Sequence, residues 1–459
     1  MPLFEPRDPR PIHFVGIAGA GMSALAELFV RRGARVTGCD ANPGNVSDLQ
    51  RLGIEVVSGH SPRHVDGVRA LVVTSAMPKE HPELKRARQL GLPVIRRAEA
   101  LGEAVSGGEL VAIAGTHGKT TTTVMTTEAL AAAGLEPTAL VGGRVGSWEG
   151  NLRPGADRLF VVEADEYDRS FLALSPTVAV VTNIEADHLD IYADLEDIRD
   201  AFCRFMAPAG TVVLCMEDAG AATIPTPSGA QTIRYGIESP DARLVARDVV
   251  YSPGWTTFTA VFDGEKVADV ELRVPGRHNV LNALAALGSG LALGVDARRM
   301  AEGLARFGGV ERRFQRLGDA NGVTVIDDYA HHPTEIRATL AAARAAYPGR
   351  RVVAAFQPHL FTRTRDFAED FGGALADADA VFLTEIYAAR EQPIDGVTAS
   401  LIEQAMSRAG RALAWRGERH DLAAALQHAV RSGDVVLTMG AGDITRTGPE
   451  LLARLTEDA

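Results

Sequence analysis

The chain has 459 residues, of which 46% are hydrophobic and 23% are charged, and its net charge is −12. This composition is typical of a globular protein of about three domains at roughly 150 residues each, and the negative charge argues against nucleic-acid binding, which needs a basic face. The sequence contains no apolar run of about 18 residues that would predict a membrane span, and its first residues lack the basic start and apolar core of a signal peptide.

Apolar, β-branched runs alternate with helical patterns along the chain, which predicts an α/β fold with mostly parallel sheets. The first segment predicts strands at IHFVGIA, ARVTGCD, ALVVTS and LPVIRR. The second predicts strands at ELVAIAG, RLFVVEAD, TVAVVTN and GTVVLC, then the β-rich stretch ARLVARDVVYSPGWTTFTAVFDG, and helices in HNVLNALAALGSGLAL and DARRMAEGLARF. The third predicts strands at GVTVIDDYA, RRVVAAFQ, ADAVFLTE and GDVVLTMGAG. We expect boundaries near residues 107 and 312, which gives domains 1–106, 107–312 and 313–459.

The first glycine loop follows the first predicted strand in HFVGIAGAGMSALAE. Gly16, Gly19 and Gly21 let the backbone approach a phosphate at a helix N-terminus. Their spacing is G-x-x-G-x-G rather than the dinucleotide pattern G-x-G-x-x-G, although Asp40 ends the second strand where a ribose-binding acid would lie. The loop is compatible with an NAD site, with a site for another nucleotide diphosphate, and with a glycine turn that serves packing only.

The second glycine loop lies in VAIAGTHGKTTTTVMTTEALAAAG. It resembles a Walker A loop, G-x-x-x-x-G-K-[ST], but it is shorter, because Ile113 stands five positions before Gly118 and the nearer glycine is Gly115. Its backbone N–H groups can surround phosphate oxygens, Lys119 can reach the outer phosphates, and the hydroxyl of Thr120 or Thr121 can reach Mg²⁺. Lys119 is one of only four lysines in the chain, so it is poorly explained as a surface residue.

Acidic and amide side chains follow the next two predicted strands, at positions where the carboxyl ends of parallel strands converge on a ligand. They are Glu163, Asp165 and Glu166 after RLFVVEAD, and Asn183, Glu185, Asp187 and His188 after TVAVVTN. Carboxylate oxygens suit Mg²⁺, although each acid alone is equally explained as a helix cap or a solvated charge. Two phosphate loops on two domains predict a nucleotide at each loop.

The three cysteines, Cys39, Cys203 and Cys215, form no C-x-x-C pair. This pattern fits a reducing cytoplasm, where we expect the protein to be, and it argues against a zinc site.

Ten blocks in order resemble the Mur ligases, the ATP-dependent amide ligases of peptidoglycan precursor synthesis. They are HFVGIAGAGMSALAE, TSAMPKEHPE, AGTHGKTTTT, EADEYDRSFL, TNIEADHLDIY, VPGRHNVLNALAA, RRFQ, DDYAHHPTEI, FQPHLFTRTRDF and GAGDI. The resemblance implies a Rossmann-like N-terminal domain, a central P-loop ATPase-type α/β domain and a C-terminal Rossmann-like α/β domain. It is strongest to the alanine-adding branch, which implies that L-alanine is joined to UDP-N-acetylmuramate through an acyl phosphate, with ATP and Mg²⁺.

The resemblance also implies roles for individual residues. The UDP-sugar site would comprise Gly19, Ala20, Gly21, Met22, Asp40, Ser75 and Tyr329. The ATP site would comprise Gly115, Thr116, His117, Gly118, Lys119, Thr120, Thr121, His278, Asn279, Asn282, Asp327 and Asp328. Thr120, Glu163 and His188 would bind metal, and the catalytic set would be Lys119, His188, Arg313, His331 and Arg363.

The chain departs from relatives at several positions. The central segment holds only Lys119 and Lys266, so the carbamylated lysine that bridges metals in several Mur ligases is not expected here. Tyr167 stands where many alanine-adding members carry Ser, and the same form occurs in the recycling ligase that attaches a whole tripeptide to the same UDP-sugar. That recycling ligase is the alternative, and FQPHLFTRTRD disfavours it.

Two other classes of protein compete with a ligase. An NAD-dependent oxidoreductase would leave the G-K-T loop unexplained, and a non-catalytic nucleotide-binding regulator would not need the paired acids. We expect small-molecule substrates, no nucleic-acid or membrane partner, and a monomer or homodimer.

Overall fold

A computed structural model describes Leu3 and residues 8–44, 46–74, 77–189, 191–252, 254–389 and 391–457. The chain divides into two compact units. The first comprises the described residues of 1–248, 258–270 and 281–307, and the second comprises those of 249–257, 271–280 and 308–457. The α/β prediction is confirmed, whereas the predicted boundaries at 107 and 312 stay predictions.

Five parallel strands form the N-terminal sheet of the first unit, in the order β3-β2-β1-β4-β5. The strands are Ile12–Val15 (β1), Val36–Asp40 (β2), Glu55–Ser58 (β3), Ala70–Val73 (β4) and Val94–Arg96 (β5). The helices are Ala20–Arg31 (α1), Ser47–Arg51 (α2), Pro82–Gln89 (α3) and Arg97–Val105 (α4), with a 3₁₀ turn at Pro62–Val65. The strand order reverses between β1 and β4, and ligands of open α/β sheets bind at such a switch point. The first glycine loop follows β1 and therefore lies there.

The second sheet has ten strands in the order β15-β14-β13-β12-β11-β10-β6-β9-β7-β8. They are Glu109–Ala114 (β6), Pro137–Val145 (β7), Gly150–Arg153 (β8), Ala156–Glu163 (β9), Val178–Val181 (β10), Thr211–Cys215 (β11), Gln231–Gly236 (β12), Leu244–Ser252 (β13), Trp255–Phe262 (β14) and Glu265–Leu272 (β15). The helices are Lys119–Ala132 (α5), Leu195–Met206 (α6), Ala219–Ala222 (α7), Arg277–Ala292 (α8) and Ala297–Arg306 (α9), with 3₁₀ turns at Gly146–Trp148 and Tyr167–Ala173.

Strand β6 lies at the centre of this sheet and pairs in parallel with β9 and β10. Its residues from Leu110 to Ala114 are all buried, as expected of a parallel strand covered on both faces. Because β9 and β10 flank β6, the side chains that follow all three strands meet at the same sheet edge. This arrangement confirms the predicted convergence around the second glycine loop.

The second unit contains a six-stranded sheet in the order β16-β17-β21-β18-β19-β20. The strands are Gln315–Ala320 (β16), Val323–Asp328 (β17), Val352–Phe356 (β18), Ala380–Thr384 (β19), Trp415–Gly417 (β20) and Val435–Met439 (β21). The helices are Pro333–Ala346 (α10), Phe361–Asp366 (α11), Ala368–Leu375 (α12), Ser400–Arg408 (α13), Arg419–Ala429 (α14) and Thr447–Glu457 (α15), with a 3₁₀ turn at Asp443–Arg446. All pairs are parallel except β16–β17.

Apolar clusters cover both faces of this six-stranded sheet and form the core of the second unit. Among the described residues of the whole chain, every helix is too short or too polar to span a lipid bilayer.

Candidate functional site

The second glycine loop connects β6 to α5 and needs glycine at two positions. Gly115 has φ +143°, and a Cβ there would lie 1.9 Å from Thr182 Oγ1. Gly118 has φ +81° and precedes the first residue of α5. Glycine adopts such angles without steric cost, so the loop can turn tightly and present its amides at the N-terminus of α5, where anions bind.

The end of β10 holds this loop in place through hydrogen bonds. The Thr116 N–H donates to the Asn183 carbonyl at 3.1 Å, and the His117 N–H donates to Asn183 Oδ1 at 2.7 Å. The Thr182 hydroxyl donates to the His117 carbonyl at 2.7 Å, and the Glu185 N–H donates to the Thr116 hydroxyl at 2.9 Å. These bonds fix the backbone of the loop before a ligand arrives.

Lys119 is largely buried, with a side chain that is 14% exposed, and it lies against the buried carboxylate of Glu166. Its Nζ donates to the carbonyls of Gly115 at 2.7 Å and Thr116 at 3.3 Å, and to Glu166 Oε1 at 2.8 Å. Burial by itself lowers the pKa of Lys119, but the negative charge of Glu166 and its neighbours outweighs burial and raises that pKa. Lys119 is therefore a cation in the folded chain.

Glu166 also faces His188, which makes it the centre of a charge cluster. Glu166 Oε1 lies 3.6 Å from His188 Nε2, and Asp187 Oδ2 lies 3.8 Å from the same nitrogen. Burial lowers the pKa of His188, but the two carboxylates more than compensate and raise it. The Tyr192 hydroxyl donates to the Glu166 carbonyl at 2.6 Å. Sequence analysis named Glu166 among the candidate Mg²⁺ ligands but did not predict its pairing with Lys119, from which it is separated by 47 residues in the chain.

The three predicted metal ligands have different surroundings. Thr120 is buried on the first turn of α5, beside the half-buried Thr121. Glu163 ends β9, and its Oε2 accepts the Gly142 N–H at 2.7 Å. His188 faces Glu166 as described, so its role as a metal ligand stays a prediction.

A cavity of about 280 Å³ joins the first glycine loop to the end of β9 within the first unit. Its lining comprises Gly19, Ala20, Gly21, Met22, Ala24, Thr74, Arg97, Leu101, Leu140, Val141, Gly142, Val162, Glu163 and Asp165. All four glycine-loop residues predicted to bind the UDP-sugar therefore line one cavity with the predicted metal ligand Glu163. Arg97, which sequence reasoning missed, lies there with Nη2 3.8 Å from Asp165 Oδ2.

Asp40 stabilises the first glycine loop by accepting a backbone hydrogen bond from it. Its Oδ2 accepts the Ala18 N–H at 3.1 Å, and its Oδ1 accepts the Asn42 N–H at 2.9 Å. The carboxylate thus has a structural task in the folded chain, and its contact with the UDP-sugar stays a prediction. Ser75, also predicted at this site, lies outside the described residues.

The predicted adenine-binding residues begin α8, and Asn279 and Asn282 lie three positions apart on this helix, as expected. Asn282 Oδ1 accepts the Thr122 hydroxyl at 3.0 Å, which connects it to the P-loop helix α5. Asn279 Nδ2 donates to the Pro275 carbonyl at 2.7 Å. Burial, with the positive charge of Arg313 acting in the same direction, lowers the pKa of His278 to about 4, so this imidazole is neutral.

In the second unit, Asp327 and Asp328 end β17 and are both buried. Asp327 accepts the hydroxyls of Thr438 at 2.7 Å and Thr445 at 2.8 Å. Asp328 accepts the N–H groups of Phe314 and Ala330, each at 2.7 Å. Burial raises the pKa of Asp328 to about 6, although these amides and Arg313 oppose the shift.

The structure brings three predicted residues of the second unit together. The guanidinium carbon of Arg313 lies 5.0 Å from the centre of the Tyr329 ring, whose centre lies 5.2 Å from that of His331. Glu335, which sequence reasoning missed, lies 3.6 Å from Arg313 Nη1 and 3.1 Å from His331 Nδ1. The sequence does contain a pattern that could have identified Glu335. In HPTE, Glu335 follows the helix cap His332 by three residues, which is the spacing of a capping box.

His359 lies between Arg363 and the group formed by Arg313, Tyr329 and His331. Arg363 is 6% exposed, and its Nη1 lies 3.5 Å from His359 Nδ1. The ring centre of His359 lies 6.0 Å from that of His331. The second unit therefore presents two arginines and two histidines at the ends of β17 and β18, a set that can bind anionic groups.

Three family models match the chain in sequence. The model described as Mur ligase family, catalytic domain, matches residues 11–108. The Mur ligase middle domain matches residues 113–290, and the Mur ligase glutamate ligase domain matches residues 312–442.

Full-length relatives carry one activity in their names. A UDP-N-acetylmuramate–L-alanine ligase of Geobacter sp. strain M21 is 43% identical over 97% of both chains. One from Anaeromyxobacter sp. strain Fw109-5 is 45% identical over 99% of this chain and 100% of its own. The crystal structure of the UDP-N-acetylmuramate-alanine ligase of Thermotoga maritima has a TM-score of 0.83 and 30% identity, covering 98% of this chain and 100% of its own.

Proposed function

Since this chain belongs to the Mur ligase family, we propose that it is the ligase that joins L-alanine to the lactyl carboxylate of UDP-N-acetylmuramate with ATP. The relatives with this activity match over nearly the full length of the chain. The observation that carries the proposal is the cavity that Gly19–Met22 and Glu163 line together. Glu163 ends β9, which pairs with β6, the strand before the P-loop. A UDP-sugar held by the glycine loop would have its acyl end at the ATP-binding sheet edge.

The reaction proceeds in two steps, because a carboxylate is a poor electrophile. An oxygen of the lactyl carboxylate attacks the γ-phosphorus of ATP, the bond to the β-phosphate oxygen breaks, and ADP leaves. The neutral amine of L-alanine then attacks the acyl carbon of this acyl phosphate. The tetrahedral intermediate collapses, inorganic phosphate leaves and the amine loses a proton.

The residues predicted for the ATP site supply positioning and charge for phosphoryl transfer. The loop amides of residues 115–118 bind the phosphates, and Lys119, a cation in the folded chain, neutralises the outer phosphate charge. His278, Asn279 and Asn282 bind the adenine, since a carboxamide donates and accepts at once. We assign Asp327 or Asp328 to the ribose.

The residues at the magnesium position fit the ion. The Thr120 hydroxyl and the Glu163 carboxylate are hard oxygen donors of the kind that Mg²⁺ prefers, and Glu163 lines the cavity. His188 is the less usual third ligand. When bound, Mg²⁺ neutralises phosphate charge and orients the γ-phosphate for in-line transfer.

We assign a cationic role to the second-unit group. Arg313, Arg363 and His331 balance the charge of the phosphoryl group and of the acyl phosphate, as arginine does in other phosphoryl transfers. Tyr329 contacts the muramoyl part of the UDP-sugar. The protein would work in the cytoplasm as a monomer or homodimer.

The recycling ligase remains the second candidate because the chain carries Tyr167 in EADEYD. It is not favoured: the murein peptide ligase structure from Psychrobacter arcticus has a TM-score of 0.72 at 25% identity, below the values for the Thermotoga enzyme.

Phosphate release tests both candidates. The protein is incubated with ATP, Mg²⁺ and UDP-N-acetylmuramate, with and without L-alanine, and the product is weighed by mass spectrometry. Release that needs L-alanine, with a product heavier by one alanine residue, supports the proposal. Release only with the L-alanyl-γ-D-glutamyl-meso-diaminopimelate tripeptide would replace it with the recycling ligase.

A further inference from the structure

A second group of metal-binding side chains lies in the N-terminal sheet, and none of its members is among the described residues that line the cavity. His13, Cys39, His64 and Glu83 each place a ligand atom within 4.8 Å of the others. His60 and His81 form a second group with Glu83, and His60 Nδ1 also lies 3.3 Å from Cys39 Sγ. The proposed ligase reaction gives none of these residues a role.

The fold brings the four residues together from distant parts of the segment. His13 pairs with Thr37, and Val15 pairs with Cys39, across the parallel strands β1 and β2. Because side chains alternate along a strand, His13 and Cys39 lie on the same face of the sheet. The 3₁₀ turn at Pro62–Val65 supplies His64, and the first turn of α3 supplies Glu83.

The distances are close to those of a tetrahedral zinc site. Zinc bonds of about 2.0–2.3 Å place neighbouring ligand atoms roughly 3.3–3.6 Å apart. Cys39 Sγ lies 3.2 Å from Glu83 Oε1 and 3.4 Å from His13 Nε2. His64 Nδ1 lies 2.8 Å from Glu83 Oε1. Shifts of a few tenths of an ångström would therefore complete the geometry.

Three members of the group are buried in an apolar environment, and His64 is partly buried. Glu83 and Cys39 are 0% exposed, His13 is 2% exposed, and the surrounding cluster is made of aliphatic side chains. A buried carboxylate is costly unless a cation or several hydrogen bonds compensate it. The described contacts of the Glu83 carboxylate are with histidines, with the Cys39 thiol and with the Ser61 N–H, and none of these groups is a permanent cation.

One further observation points to a ligand. His13 keeps Nε2 toward the group because its Nδ1 lies 2.9 Å from the Thr37 hydroxyl, and metal-binding histidines are oriented in this way by a partner on the other ring nitrogen.

We propose that His13 through Nε2, Cys39 through Sγ, His64 and one carboxylate oxygen of Glu83 form a structural site for one Zn²⁺ ion. The donor set of one sulfur, two imidazole nitrogens and one oxygen suits zinc and disfavours magnesium. The Cys39 thiol releases its proton to solvent when the ion binds. Because protein side chains supply all four zinc ligands, the site has no open coordination position for catalysis. The ion would instead link β1 and β2 to the 3₁₀ turn and to α3.

Cobalt substitution tests the site in the full-length protein. The chain is freed of metal with a chelator, titrated with Co²⁺ and followed by absorption spectroscopy. We expect one equivalent of Co²⁺ to give the visible bands of tetrahedral coordination and a thiolate-to-cobalt charge-transfer band, both of which Zn²⁺ removes. Absence of these bands in the folded wild-type protein would overturn the proposal.

Variants identify the ligands. Cys39→Ser should lose the charge-transfer band, whereas the matched control Cys215→Ser, which changes a buried cysteine of β11, should keep it. His60→Ala and His81→Ala should also keep it, and loss of the band in either would overturn the assigned ligand set. If Cys39→Ser does not fold, the test uses the wild-type protein only. Zn²⁺ should raise the melting temperature of the wild-type protein by several degrees over that of the chelated form. An unchanged melting temperature would contradict the proposal.

Discussion

Replacing Glu166 by glutamine should lower the free energy of unfolding of the first unit by about 3–5 kcal/mol, because it leaves a buried lysine without its counter-charge. Glutamine is nearly isosteric with glutamate, so the change removes charge and leaves the packing almost unaltered. Glu166 is 3% exposed and Lys119 lies beside it, also largely buried.

The magnitude follows from the geometry of the pair. Lys119 Nζ lies 2.7 Å from Glu166 Oε2, and at an effective dielectric constant of about 20 this separation corresponds to an attraction of ~6 kcal/mol. Burial of both charges offsets much of that gain in the intact pair. When one partner is removed the attraction is lost while the other charge stays buried, and such changes typically cost about 3–5 kcal/mol.

The control is Asp165→Asn, one residue away. The Asp165 side chain is 40% exposed and lies 3.8 Å from Arg97 Nη2, and an exposed pair of this kind contributes about 0–1 kcal/mol. Urea unfolding of wild type and both variants, without ligands, gives the comparison. If Glu166→Gln falls within 1 kcal/mol of Asp165→Asn, a threshold set by the range for exposed pairs, the reasoning about the buried pair is wrong.

Three other predictions concern single residues. Lys119→Met should weaken ATP binding by about 10- to 100-fold, since a hydrogen bond to a charged group contributes about 1.5–3 kcal/mol; an unchanged dissociation constant in equilibrium binding would contradict the phosphate contact. Gly115→Ala should destabilise more than Gly134→Ala in urea unfolding, because its Cβ would lie 1.9 Å from Thr182 Oγ1 whereas that of Gly134, also at positive φ, meets nothing within 4 Å. Burial raises the pKa of Asp328 from 3.8 to about 6, so the folded chain holds this proton more tightly than the unfolded chain. The resulting stability is full below about pH 4 and lost as the pH rises through 6. Wild type should therefore lose about 3 kcal/mol relative to Asp328→Asn over that range; parallel unfolding curves at pH 4 and 7 would refute it.

Sequence patterns predicted the strands that carry the site because those strands are buried on both faces and read as apolar runs. Strand β9, predicted from RLFVVEAD, spans Ala156–Glu163. Strand β7 was not predicted, since Gly142 and Gly143 interrupt its apolar pattern and glycine weakens strand propensity. The Gly142 N–H nevertheless donates to the predicted metal ligand Glu163.

Contacts between distant segments explain what sequence reasoning missed. No local spacing connects Lys119 to Glu166, or Cys39 to Glu83, because each pair meets only after parallel strands and their crossovers are assembled. The cysteine pattern argues against zinc because spacing rules detect ligands close together in sequence, whereas the zinc site proposed above would draw one ligand from each of four elements. Asp40 ends β2 as predicted, but its carboxylate accepts two backbone N–H groups, and its contact with the UDP-sugar stays a prediction.

The Lys119–Glu166 pair also bears on nucleotide binding. An ammonium has three N–H donors, and in the folded chain they meet the carbonyls of Gly115 and Thr116 and the carboxylate of Glu166. A phosphate can therefore reach Lys119 only in exchange for one of these acceptors. Glu166 can be exchanged at least cost, because His188, whose pKa its carboxylate neighbours raise, still faces it.

On this reasoning ATP affinity includes the cost of separating Lys119 from Glu166, and Glu166→Gln should reduce that cost. The variant that destabilises the fold should thus bind ATP with a dissociation constant equal to or below that of wild type, as measured by equilibrium titration with Mg²⁺ present. A dissociation constant more than tenfold higher, which corresponds to about 1.4 kcal/mol, would contradict the exchange. The carboxylate would then act on the nucleotide directly, as a ligand of Mg²⁺ beside Glu163, and His188 would hold Glu166 in that position instead of binding the metal itself.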